Sequence, residues 1–271
     1  MIGFGSAPDP FIMNEYVTGF TSGYYVLSGK TLQTSTLTST TVKTVIIGGQ
    51  SNMATAPSTV TYVTVSSQAQ NLNVYDGGFY SGSDPVLGCS NTPGTGVSSI
   101  NMRFADSVIS SSKATQCIVV PIALAGTPFV FWTPNSSASL FNRITTAVLR
   151  CRARGLEPDA FIWGEGEQDN GLGTASSAVT DYIHQIVVGI RAIPCAAPFY
   201  VGVYTMAGGV TSSAVAAGIT ASVSSSLNII LGFNADTNCP VAGGFRLADN
   251  THLSNLGLNT ASTGWRQLVF P

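Results

Sequence analysis

Two short stretches carry the residue types of acyl-transfer chemistry. The run "VIIGGQSNMA", residues 45–54, is apolar up to two glycines and then presents Gln50, Ser51 and Asn52. In an α/β sheet the carboxyl ends of the strands line the ligand crevice, and a tight turn there exposes the next side chain. Ser51 sits where a nucleophile would stand. A serine hydroxyl is a weak nucleophile until a base takes its proton, and the base needs a third group to hold its tautomer. The chain has 2 histidines. His184, in "DYIHQIVVGI", lies beside an apolar stripe and reads as a helix-surface residue. His252 lies in the polar stretch "LADNTHLSNLG", three residues after Asp249. That spacing lets the carboxylate accept one imidazole N–H while the other ring nitrogen faces a serine.

Such side chains need a scaffold, and five apolar runs can supply it: "VKTVIIGG" (42–49), "QCIVVPIAL" (116–124), "AFIWG" (160–164), "FYVGVYTM" (199–206) and "LNIILGF" (227–233). Near-continuous apolar strands suit a parallel sheet covered on both faces. Between them, Leu140, Ile144, Val148 and Cys151 before Gly155, and Val179, Ile183, Ile186, Val187 and Ile190 before Pro194, keep a helical period. The expectation is one α/β domain over 42–271, a three-layer α/β/α sandwich with a mainly parallel central sheet of flavodoxin-like type. Residues 1–41, with "TSGYY" and "TLQTSTLTSTT", are Gly/Ser/Thr-rich and lack that period. They read as an N-terminal extension: a short β-rich segment, a linker or an oligomerisation segment.

Composition narrows the partners. Charged residues make up 9% of the 271, and 11 Lys+Arg against 13 Asp+Glu leave a net charge of −2 with no basic cluster. Nucleic acid is not an expected partner. No apolar stretch reaches the ~18 residues of a membrane helix, so no membrane span is expected. The start "MIGFGSAPDPF" lacks the n- and h-regions of a secretory signal. The chain therefore reads as unsecreted, already processed or exported by another route. The 5 cysteines stand singly without C-x-x-C or clustered histidines, so no metal site is expected, and at least one thiol lacks an intrachain partner.

With these residues in place, the chain resembles the SGNH hydrolases, in particular their sialate O-acetylesterase and acetylxylan esterase branch, from about residue 44 to 262. The family's Gly-Gln-Ser-Asn-Met block is matched by Gly49, Gln50, Ser51, Asn52 and Met53. Its "DPL…G-x-G…FA" segment is echoed by "DPVLG" (84–88), "GTG" (94–96) and "RFADSV" (103–108). Its "GGTSI…W" segment looks like "VVPIALAGTPFVFW", with Gly126, Thr127 and Trp132 matching and Ala125 replacing a glycine. Its "W-x-QGE-x-D" block is matched by "WGEGEQD" (163–169), where Glu165 stands in place of the usual Gln. The final "D-x-x-H…G" falls on Asp249, His252 and Gly257. Five blocks in the right order are a far stronger signal than any one of them.

The resemblance implies two-step acyl transfer without metal or organic cofactor. Ser51 attacks the ester, His252 is its base, and Asp249 orients the imidazole. Backbone N–H groups of Ser51 and Gly96, with Gly94 open as a substitute, hold the oxyanion. Glu165 joins them if it is protonated, since an ionised Glu repels an oxyanion that a Gln would stabilise. Burial and nearby Glu167 favour that protonation. Gln50, Asn52, Glu167 and Trp132 support the site or the substrate, and Tyr75, Phe79, Tyr80 and Phe131 could stack on sugars or belong to the core. The substrate implied is an O-acetylated glycan, met outside the cell by a secreted, cell-surface or virion-associated protein. The N-terminal segment could serve in homo-oligomer or virion-tail association. Two other readings stay open: an esterase or thioesterase on other acyl chains, and an impaired carbohydrate-binding module of the same fold, which Glu165 favours.

Overall fold

The structure, a computed structural model, describes residues 29–33, 41–57, 61–90 and 97–271. In chain order the strands are β1 Val42–Gly49, β2 Thr55–Pro57, β3 Ala69–Leu72, β4 Phe79–Ser81, β5 Val97–Ser99, β6 Gln116–Pro121, β7 Ala160–Gly166, β8 Phe199–Tyr204 and β9 Ile229–Asn234. The helices are α1 Ile100–Ser110, α2 Phe141–Ala153, α3 Glu167–Leu172, α4 Ser176–Ala192, α5 Ser213–Ala221, α6 Ala235–Asn238 and α7 Asn255–Val269, with a single 3-10 turn at Phe129–Trp132.

Seven strands form one sheet in the order β4-β3-β6-β1-β7-β8-β9, and β2 pairs with β5 in a small ribbon. Every pairing within the large sheet is parallel except β3 with β4. β1 sits in the middle between β6 and β7, and the chain visits one flank before crossing to the other. The ends of such a central strand open the crevice of an α/β sheet.

Side chains of β1 alternate between two cores. Ile46 faces the cluster that holds Ile144, Val148, Ile183, Ile186 and Ile190 of α2 and α4. Val45 and Ile47 face the cluster that holds Phe104 and Val108 of α1 and Leu258 and Trp265 of α7. The fold is therefore the expected mainly parallel sheet with helices on both faces. The helical periods read from the sequence correspond to α2 and α4, whose buried positions include Ile144, Val148 and Cys151 in one and all five expected residues in the other.

Two elements depart from the reading. The third apolar run continues past Gly164, so that Glu165 lies within β7 rather than after it. The helix α7, capped by the Ser254 side chain, begins three residues after His252. Its apolar positions, Leu258, Ala261, Trp265 and Val269, are separated by Gly, Ser and Thr, which dilute the helical signal. Part of the N-terminal segment lies at the sheet's edge, in the manner of a short β-rich segment. Gln33 N donates to Phe79 O at 2.7 Å and Ser81 N to Thr31 O at 3.0 Å, so residues 31–33 line β4. Packing against the domain thus begins before residue 42; the rest of the Gly/Ser/Thr-rich segment lies almost wholly outside the described residues.

Candidate active site

The turn that presents Ser51 depends on backbone approach. Gly49 has φ +115, and a Cβ there would lie 2.0 Å from Gly164 O on β7. Only glycine fits that conformation and that contact. Gln50 N still donates to Gly164 O at 3.1 Å, after which the chain leaves the sheet. Ser51 is partly exposed at this point, while Gln50 and Asn52 on either side are buried. The Ser51 N–H has no hydrogen-bond partner among the described residues.

The loop after β9 and α6 brings the remaining chemistry. His252 Nε2 lies 3.0 Å from Ser51 Oγ, and His252 Nδ1 lies 2.7 Å from Asp249 Oδ2. The other Asp249 oxygen accepts from the backbone N–H groups of Thr251 (2.8 Å) and His252 (2.9 Å), so the carboxylate shapes the loop that carries its own partner. Burial pushes the Asp249 carboxyl up, but hydrogen bonds from the His252 ring, His252 N and Thr251 N outweigh it and hold it below the usual carboxylate range. A hydroxyl, an imidazole and an ionised carboxylate in this order can pass a proton from serine to histidine.

Asn52 locks this loop to the strands. Its Nδ2 donates to Glu167 Oε1 at 2.6 Å and to Thr251 O at 3.2 Å, and its Oδ1 accepts from Leu253 N at 2.9 Å. The two loop contacts flank His252. Burial pushes the Glu167 carboxyl up to about 8, against the opposing pull of the Asn52 amide. Gln50 Oε1 accepts from Gln168 N at 3.1 Å, tying the same turn to the start of α3. Arg246, buried under the loop, donates to Thr251 O at 2.6 Å and to Cys239 O at 2.8 Å. The Asn52 and Gln50 connections were not legible as motifs, since their partners stand more than a hundred residues away in the chain.

Glu165 is placed otherwise than expected. It is 0% exposed. Trp163 Nε1 donates to its Oε2 at 3.0 Å, and its Oε1 lies 3.3 Å from Thr127 Oγ1. A group without accessible surface cannot touch a substrate oxygen, so the expected oxyanion donor is instead part of the interior. Thr127 is shared among several partners. That hydroxyl accepts from Trp132 Nε1 at 3.1 Å and has Leu124 O at 2.8 Å within reach of its one proton. The same hydroxyl can turn its proton toward Glu165 Oε1, 3.3 Å away, instead of Leu124 O. Burial, followed by Asp169 and Glu167, pushes Glu165 well above the usual carboxylate range against the opposing hydrogen bonds of Trp163 and Thr127. Protonation was expected; its hydrogen-bond partner was not. The missed signal is the period of two, which puts Glu165 on the same face of β7 as Trp163.

Trp132 is also 0% exposed, packed edge-on against Trp163 at 4.8 Å between centroids, so it supports Thr127 and offers no sugar platform. Tyr75, Phe79 and Tyr80 are core; of the expected aromatics only Phe131 is exposed. Gly94 and Gly96 lie outside the described residues. His184 Nε2 lies 3.0 Å from Ser222 O on the helical layer and takes no part. No group of three metal-ligating side chains occurs among the described residues. All five cysteines are unpaired and buried, and burial pushes each thiol up, away from the reactive thiolate form.

The chain belongs to the family described as "SASA: Carbohydrate esterase, sialic acid-specific acetylesterase", whose model matches residues 41–194, more than half of its length. That range includes Ser51, Glu165 and Glu167 and stops before Asp249 and His252. No curated relative matches the chain in sequence. Among solved structures, a protein from Arabidopsis thaliana is 18% identical with a TM-score of 0.64, covering 84% of this chain and 97% of that one. NanS is 14% identical with a TM-score of 0.57, covering 84% and 96%. A carbohydrate acetylesterase from Xanthomonas citri is 12% identical with a TM-score of 0.55, covering 84% of this chain and 56% of that one. At these identities the structures establish the shared fold, and the family establishes an esterase of carbohydrate or acyl type.

Proposed function

We propose that the protein is a serine esterase that removes O-acetyl groups from a carbohydrate or polysaccharide through an acyl-serine intermediate. The observation that carries this reading is the continuous relay from Ser51 Oγ through His252, at 3.0 Å, to Asp249, at 2.7 Å, at the carboxyl end of the central strand. His252 Nε2 takes the Ser51 proton as Oγ attacks the ester carbonyl, and returns it to the leaving sugar hydroxyl. Asp249 keeps the Nδ1–H tautomer and stabilises the imidazolium. The unpaired Ser51 N–H is one oxyanion donor, and the resemblance assigns a second to Gly96. His252 then activates the water that releases acetate.

The test combines acetate release from a panel of acetylated glycans, an octanoyl ester for comparison, and a fluorophosphonate that labels activated serines. Wild-type protein should release acetate in preference to octanoate and take the label on Ser51. Folded Ser51→Ala and His252→Ala should each lose at least ~10³-fold in kcat. Wild-type turnover by a folded Ser51→Ala protein rejects the nucleophile. Preference for octanoate moves the reading to longer acyl chains, and glycan binding without hydrolysis moves it to a binding module.

A further inference from the structure

A groove of about 570 Å³ lies outside the Ser51 crevice, walled by α1, α7 and residues 62–66. Its volume falls within the ~300–1,000 Å³ of small-ligand clefts. Both helices start at the crevice end of the sheet. Asn101 Nδ2 donates at 3.0 Å to Met53 O, two residues after Ser51, and α7 begins three residues after His252. The groove follows the two helices away from that end, with Asn259 about 6 Å and Thr263 about 12 Å along α7 from Asn255.

A paired charge fixes its wall. Arg103, 5% exposed, donates to Ser98 Oγ at 2.8 Å, to Asn255 Oδ1 at 2.6 Å and to Asn259 Oδ1, and its guanidinium lies 4.3 Å from the centre of the Tyr62 ring. Tyr62 Oη donates at 2.8 Å to Asp106, which also accepts from Val65 N at 2.7 Å and Ser66 N at 3.1 Å. No other charged residue lines the groove among the described residues. These side chains are already held, so a ligand would meet them without ordering them first.

Polar capacity is left over on the same walls. Ser107 Oγ, Thr263 Oγ1 and Asn259 Nδ2 have no hydrogen-bond partner among the described residues. Ser66 Oγ accepts from Gln68 N at 3.1 Å and keeps its own proton uncommitted. Val65, which is 93% exposed, Ile109 and the Tyr62 ring add apolar surface beside these groups. An acyl chain would strip water from the hydroxyls without replacing its hydrogen bonds, and an ion would face charges that are already paired. A sugar ring, with hydroxyls at its rim and C–H groups on its faces, matches both kinds of surface.

We propose that this groove is a second glycan-binding site, which holds an unmodified stretch of the polysaccharide whose acetylated unit lies at Ser51. The proposal deepens the esterase reading and rests on it for the link to Ser51. It places recognition of the polymer on α1 and α7, away from the reacting atoms.

Two positions outside the catalytic groups test it. Ser107→Met from α1 and Thr263→Met from α7 each replace an uncommitted hydroxyl by a side chain that fills the groove, and circular dichroism checks that the fold is kept. Xylohexaose, mannohexaose and chitohexaose are titrated into the Ser51→Ala protein and followed by amide NMR shifts. At least one should shift residues 62–66, 103–110 and 259–263 saturably, and each Met substitution should raise its Kd about fivefold, the loss of one neutral hydrogen bond. With Ser51 intact, both substitutions should raise KM for the acetylated polymer of the bound glycan by a similar factor. Its kcat, and both constants for p-nitrophenyl acetate, should stay at wild-type values. If no hexamer shifts the groove, or if neither substitution changes Kd or the polymer KM, the inference is overturned while hydrolysis of p-nitrophenyl acetate upholds the esterase reading. Saturable binding in the groove of a wild-type protein that hydrolyses no ester overturns the esterase reading and supports the groove as a glycan site.

Discussion

Asp249 and Glu165 are both carboxyls of the family blocks, yet the fold drives them in opposite directions. Asp249 lies on a partly exposed loop and accepts three N–H groups, so it is held ionised. Glu165 lies inside β7 with one N–H donor and a hydroxyl it shares with Leu124 O, and burial beside Asp169 and Glu167 outweighs both and favours its neutral form. The number of donors that reach a carboxylate, set against its burial, decides which form the fold keeps. One carboxyl can stabilise a passing imidazolium; the other can only hold structure. The comparison breaks if the two respond alike to amide substitution.

Asp249→Asn gives the largest expected effect on that contrast. The amide can misorient the imidazole and cannot stabilise its charged form, so kcat should fall by ~10²–10⁴-fold while KM changes little. Steady-state kinetics on a small acetyl ester measures it, alongside a circular dichroism spectrum that shows the fold retained. An unchanged rate would transfer the orienting role to another carboxylate, with Glu167 and Asp169 the nearest in sequence to the crevice.

The middle effect belongs to Asn52, which connects the two regions. Asn52→Leu removes the contacts to Thr251 O and Leu253 N that flank His252 and leaves Glu167 without its amide donor. A catalytic group displaced by about 1 Å can cost ~10²-fold. We expect kcat to fall between about 10- and 100-fold, less than for Asp249→Asn. Hydrogen exchange at residues 249–254 should rise in the same variant, a readout that a purely global loss of stability would spread over the sheet instead. Unchanged exchange with unchanged kcat would show that the loop needs no such tether.

Much of this contrast was legible before the structure. The strands β1 and β6 to β9 and the helices α2 and α4 follow from apolar runs and a period of 3.6, whereas the three-residue spacing suggests only the pairing of Asp249 with His252, and their approach to Ser51 was read from the resemblance to the SGNH hydrolases. Glu165 was misplaced because the third strand was ended at Gly164, two residues early. Gly166, at φ +135, is the actual stop, and a glycine two positions on is a weak mark against the tempting one within the run. The Asn52 tether and the Thr127 relay join residues far apart in the chain, and nothing in either segment alone names the other. Helix α7 was diluted by its small residues, and its packing against α1 is tertiary in origin.

The smallest expected effect, at Glu165, tests the comparison from its quiet side. Glu165→Gln preserves shape: the amide Nε2–H can donate to Thr127 Oγ1 and its oxygen can accept from Trp163 Nε1. A carboxyl whose folded pKa is raised takes up a proton on folding, so its contribution is fully present below the usual carboxylate value of 4.5 and is lost as pH rises toward the raised one. The variant has no such dependence. Glu167, raised to about 8, stays in both proteins and cancels from the difference. The thermal midpoint of Glu165→Gln should therefore match that of wild type near pH 5 and exceed it increasingly through pH 7 to 9, with kcat at pH 7 within about twofold of wild type. Scanning calorimetry across that range measures the first and ester kinetics the second. Parallel midpoints at every pH would mean that Glu165 is ionised in the fold. A kcat that loses an alkaline decline on substitution, in protein still folded, would instead return Glu165 to the oxyanion and leave its 0% exposure to be relieved on substrate binding.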